Sequence, residues 1–164
     1  MLRTPFILIT TLLVSCNTVP SENDKSSVNM KNAIAPEAIT HIIFSRDKGP
    51  VSPVSQRQYL YEITPEEIVY IMKNNSNELL ETKKTALTPT QYTAICRVLD
   101  EHKINVPCTK QNDKQPMPPG GYSATVLMKS ADKQLEHKYY VGGNKVYGCG
   151  DIRAFDKHLR VLLN

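Results

Sequence analysis

Apolar and polar positions along the chain switch between period two and a three-to-four-residue spacing, and each switch marks an element. Ile39 to Ser45 (ITHIIFS) is β-branched and aromatic and predicts a strand, ended by a loop containing Gly49, Pro50 and Pro53. Arg57 to Ile63 alternates Gln58, Leu60 and Glu62 against Tyr59, Tyr61 and Ile63, the pattern of a strand with one buried face. Thr64-Pro65-Glu66-Glu67 has the cap, proline and glutamate of a helix start, but Ile68 to Ile71 is β-branched and aromatic. The pattern favours a tight turn and a second strand there, with a short helix over Glu67 to Lys73 as the competing reading. Asn74 to Asn77 is a turn, and Glu78 to Ala86 returns as an edge strand guarded by lysines.

Thr88-Pro89-Thr90-Gln91 opens a helix with a threonine cap, proline at the first helical position and glutamine at the third. Tyr92, Ile95, Cys96 and Leu99 then form one apolar stripe. Thr109 to Gly121 is a polar, proline-rich loop. Tyr122 to Lys129 carries Tyr122, Ala124, Val126 and Met128 on one face, and Gln134 to Val141 carries Leu135, His137, Tyr139 and Val141. The short SADK turn between them makes a hairpin, and Gly142-Gly143-Asn144 turns the chain again. Asp151 caps a final helix whose stripe is Ile152, Phe155, Leu159, Leu162 and Leu163. Its other face carries Arg153, Lys157 and Arg160, with Asp156 placed for a surface pair with Arg160. Short connections suit antiparallel pairing, so the expected fold is α+β: an antiparallel sheet with two helices packed on one face.

The first residues follow a different logic. Arg3 and an apolar run from Phe6 to Val14 make a secretory signal pattern, far short of the roughly 20 residues that span a bilayer. Leu13-Val14-Ser15-Cys16 resembles the lipobox of bacterial lipoproteins. That resemblance implies that residues 1–15 are removed and that Cys16 becomes the lipidated first residue, with acyl chains held by about 0.8 kcal/mol per buried CH₂. It further implies an outer-membrane anchor with the domain facing the periplasm in a double-membraned host, since Asn17 follows the cysteine. Residues 16–36, rich in Ser, Asn, Lys and Pro, read as a lipidated flexible tether, and residues 37–164 as a single globular domain.

Composition narrows the partner. Removing 15 of the 164 residues leaves a 149-residue chain, enough for a genuine core, and losing Arg3 lowers the formal net charge of +4 by one. Basic residues are interspersed with acids, so no nucleic-acid surface is expected. With Cys16 lipidated, Cys96, Cys108 and Cys149 remain. Three cysteines in an oxidising compartment give one pair and one leftover. Cys96 lies on the buried helix stripe while Cys108 and Cys149 lie in loops, which favours Cys108–Cys149, with pairing through Cys96 as the rival.

No G-x-S-x-G elbow, H-E-x-x-H or phosphate-cradling glycine loop is present. Cys149 with His137 or His158 as base is the arrangement a cysteine hydrolase would use. A disulfide cysteine in a tight turn beside two surface histidines accounts for the same residues. His41, His102, His137 and His158 lack paired ligand spacing, so neither metal nor cofactor is expected. Pro116, Met117 and Pro118, with Tyr122 and Tyr147, offer the low-entropy apolar contacts that interfaces use, with a plain connector into the hairpin as the competing reading of this loop. The expected function is non-enzymatic: an envelope-anchored module that binds a protein partner, a toxin or an envelope protein. The layout of lipobox, tether and small α+β domain resembles that of toxin-immunity and lysozyme-inhibitor lipoproteins. The alternative is a structural or accessory lipoprotein of an envelope or secretion assembly.

Overall fold

A computed structural model describes residues 32–48, 55–108 and 120–163. Residues 1–15 read as a signal segment, Cys16, most of the stretch read as a tether, and Pro116, Met117 and Pro118 lie outside the described residues. Seven strands, β1 (His41–Lys48), β2 (Arg57–Ile63), β3 (Glu67–Asn74), β4 (Leu79–Ala86), β5 (Tyr122–Lys129), β6 (Gln134–Gly142) and β7 (Lys145–Tyr147), form one sheet. Every neighbouring pair is antiparallel, and the order is β4-β3-β2-β1-β5-β6-β7. Helices α1 (Pro89–Glu101) and α2 (Ile152–Leu163) follow β4 and β7. Sheet and helices share one hydrophobic cluster, in which Ile42, Phe44, Ile63, Ile68, Val126 and Met128 meet Ile95, Leu99, Phe155 and Leu159.

The predicted helices form for the expected reasons. Thr88 Oγ1 accepts from the Gln91 backbone while the Gln91 side chain reaches back to the Thr88 N–H, closing the capping box. Tyr92, Ile95, Cys96 and Leu99 are its buried residues. Asp151 Oδ1 accepts from the Arg153 N–H at 3.1 Å, supplying the cap of α2. Between Ile63 and Glu67 the turn closes through Thr64 N–H to the Glu67 carbonyl, so Glu67 to Asn74 runs as β3 beside β2. The helix-start signature loses there because Ile68 and Tyr70 bury one face of an extended strand.

Five details depart from the sequence reading. Strand β1 begins two residues after Ile39, because the Ile39 N–H caps the short 3-10 turn Pro36–Ala38, and it runs on through Arg46 opposite Ala124 of β5. Lys145–Tyr147 adds a seventh strand where only a turn and loop are predicted. Ile34, assigned to the tether, is 2% exposed and joins the core, held by a two-way bond with Asn105: its N–H donates to the Asn105 carbonyl, and Asn105 Nδ2 donates to its carbonyl. His137, read as a surface histidine, is 2% exposed on β6. Asp156 is 5% exposed, not the outer half of a surface pair, because α2 turns it toward Arg46 of the sheet.

The segment around Cys149 is held closely. Tyr139 Oη donates to the Cys149 carbonyl at 2.8 Å. A Cβ at Gly150 (φ +85°) would run into the His102 carbonyl, so only glycine lets this segment press against the end of α1. Cys108 and Cys149 stand at disulfide distance, Cα atoms 5.8 Å apart, and Cys96 is buried and unpaired.

Candidate functional site

The side-chain constellation with the most chemistry lies on the helix-bearing face, alongside α2 around Asp156 and Arg160. The sheet register builds it row by row. Arg46 of β1 stands opposite Tyr59 of β2, and Tyr59 opposite Met72 of β3. One row along, Phe44 faces Tyr61, and Tyr61 faces Tyr70. Tyr61 and Tyr70 have ring centroids 5.1 Å apart, and Tyr59 and Tyr70 6.4 Å. The Arg46 guanidinium lies 4.2 Å from the Tyr122 ring centre and 5.4 Å from that of Tyr59, inside the range of cation–π attraction. Tyr59, Met72 and Tyr122 are only half-buried, so the cluster is open on one side.

Asp156 ties this platform to α2. Its carboxylate accepts from Arg46 Nη1 at 2.9 Å and from Arg160 Nε and Nη2 at 3.1 and 2.6 Å. Burial pushes the Asp156 carboxyl above its usual range, and the Arg46 guanidinium pulls it back. Arg46 Nε is buried without a partner. Burial, with the negative Asp156 beside them, also raises the Tyr61 and Tyr122 hydroxyls, which therefore remain neutral donors. Next to the platform, Tyr61, Tyr70, Glu81, Lys83, Arg160 and Leu163 line an open cavity of about 170 Å³. Tyrosine and arginine on a rigid, partly desolvated base are the residues that most often carry binding energy at protein interfaces.

Of the residues singled out from sequence, Tyr122 belongs to this platform. Tyr147 does not: it pairs with Tyr140 on β6, one position out of phase with the core-facing Tyr139 and Val141, and so lies on the opposite face of the sheet. Cys108 and Cys149 come together, which engages the sulfur that a cysteine nucleophile would need free. His137 has neither ring nitrogen in a hydrogen bond of ordinary geometry. Burial holds its imidazole below the usual histidine range, with the nearby Val106 backbone opposing the shift. The Cys96 thiol, beside a cavity of about 390 Å³ between the 3-10 turn and α1, is pushed up to about 11 by burial, far from a reactive thiolate. Among the described residues no three His, Cys, Asp or Glu side chains are grouped to hold a metal ion.

The sequence reading missed Arg46, Asp156 and Arg160 as one unit. Their only linear signal is an arginine directly after an apolar strand and an Asp–Arg spacing of four on the last helix. Comparison with family models, curated proteins and solved structures finds no match to this chain.

Proposed function

We propose that this chain is an envelope-anchored lipoprotein that binds a protein partner without turning it over, as an immunity protein or inhibitor of a periplasm-acting toxin or hydrolase. The lipobox at Cys16 and the Ser/Asn-rich stretch after it support a tethered domain, and tethering raises its effective concentration where an envelope-attacking protein would work. The observation that carries the reading is the tyrosine–arginine platform of Tyr59, Tyr61, Tyr70 and Tyr122 around Arg46, held from below by Asp156. Its half-buried rings, Tyr59 and Tyr122, offer contact area above the buried Tyr61 and Tyr70, with little rotamer entropy left to lose.

The test is binding and inhibition. Purified chain is mixed with secreted toxins or hydrolases encoded beside it, and complex formation and residual activity are measured. A one-to-one complex with loss of the partner's activity is expected. Tyr59→Ala, at a half-buried position that leaves the Asp156 pairing intact, should weaken binding by about 2 kcal/mol, roughly 30-fold. Binding with no effect on the partner's activity points to the accessory-lipoprotein alternative, and no binding to any neighbouring product removes the immunity reading.

A further inference from the structure

The sheet has two borders of unequal length. Strand β7 has three residues, whereas β4 has eight, is flanked only by β3 among the described residues and contributes nothing to the core. Leu79 and Leu80 at its start are 63% and 44% exposed, and the register irregularity opposite Met72 and Lys73 skips Leu80, which leaves it outside the regular pairing. Lysines on an edge strand usually repel a second strand. Here each is matched: Lys83 Nζ lies 3.2 Å from Glu81 Oε1, and Lys84 Nζ lies 2.7 Å from Glu67 Oε2. The edge is thus a mixed-charge strip rather than a cationic fence.

We infer that β4 pairs antiparallel with β4 of a second copy about a two-fold axis at Thr82, joining two seven-stranded sheets edge to edge. The charges select this register. Glu81 then stands opposite Lys83 of the second copy, and Lys83 opposite its Glu81. Together with the same-strand pairs this makes four alternating charges on one face. Leu80 faces the other copy's Lys84, whose methylene stem can cover it, and Leu79 faces Thr85. Moving the axis to Glu81 or to Lys83 sets like charges directly opposite each other. A two-fold axis normal to the sheet keeps both helix-bearing faces on one side, so Glu81 meets Lys83 of the second copy and not Lys84, which Glu67 holds on the other face. One strand pair buries less than a standard stable interface, so the dimer is weak and reversible, and a covalent trap is the suitable readout.

The test uses the purified full chain carrying Thr82→Cys, at an exposed position where a residue on the axis meets its own copy at cross-strand distance. Mild oxidation should give a covalent dimer from Thr82→Cys and none from a control cysteine at Ala86. Adding Glu81→Lys or Lys83→Glu alone should abolish the cross-link, and adding both, which restores opposite charges, should bring it back. Unchanged thermal unfolding of each variant shows that folding is not the cause. A Thr82→Cys chain that stays monomeric under oxidation, as it would if β4 served a different protein's strand, overturns the proposal. So does cross-linking that the single charge reversals leave untouched.

Discussion

Replacing Asp156 with alanine removes the carboxylate that joins α2 to the sheet. The wild-type group is 5% exposed and takes three hydrogen bonds from two guanidiniums. The Arg46 side chain is only 15% exposed, so losing Asp156 leaves its charge almost out of water with Nε already unpartnered. Breaking a buried pair from one side typically costs about 3–5 kcal/mol, and for a domain of this size that lowers the melting temperature by roughly 10–20 °C. Arg160→Ala removes the half-exposed partner instead, and should cost no more than about 1 kcal/mol. The pair need not be stabilising as a whole, because burial pushes the Asp156 carboxyl up despite Arg46. Arg46→Met with Asp156→Leu should therefore recover much of what Asp156→Ala loses. Urea unfolding of the four chains measures these differences. An Asp156→Ala loss as small as that of Arg160→Ala would show that the carboxylate is solvated in solution and would refute the picture of a desolvated base under the platform.

His137 is held below its ordinary range, so the unfolded chain takes up its proton first as pH falls; stability is complete above about pH 6.5 and drops below it by up to about 1.4 kcal/mol per pH unit. His137→Leu should flatten that part of the stability–pH curve relative to wild type. Cys108 and Cys149 are 41 residues apart, and the chain-entropy relation assigns closure of such a loop about 4 kcal/mol. Reductant should lower the urea midpoint of wild type accordingly and leave a Cys108→Ser, Cys149→Ser chain unmoved. Gly150→Ala, which forces a methyl against the His102 carbonyl at positive φ, should destabilise by more than about 1 kcal/mol, whereas Gly143→Ala, at positive φ with open space around it, should cost less.

Much of the fold was legible because its elements have undiluted local signals. The capping box at Thr88 and the stripe from Tyr92 to Leu99 need nothing beyond one helix to be read. The Tyr122–Lys129 and Gln134–Gly142 strands alternate cleanly because one face of each is buried over most of its length. What stayed hidden depends on contacts between distant residues. Lys145–Tyr147 is a strand only because Tyr140 to Gly142 offers it an edge. Ile34 is core only because Asn105, 71 positions away, bonds its carbonyl. The platform is the extreme case: Arg46 and Asp156 are 110 positions apart, and read singly one is a charged residue near the end of a strand and the other a charged residue on the polar side of a helix. Tyr147, attractive by residue type, falls on the wrong face because a three-residue strand carries too little alternation to fix its phase.

On this proposal the tyrosine–arginine face, and not the helix-free face, meets a protein partner. A photo-cross-linking amino acid placed at Tyr59 in the full chain, and in a second chain at Leu127 on the opposite face, tests this in intact cells. Covalent capture of one protein from Tyr59, lost when Arg46 is changed to methionine and absent from Leu127, is the predicted result. Capture of the same protein from Leu127 with none from Tyr59 would contradict it.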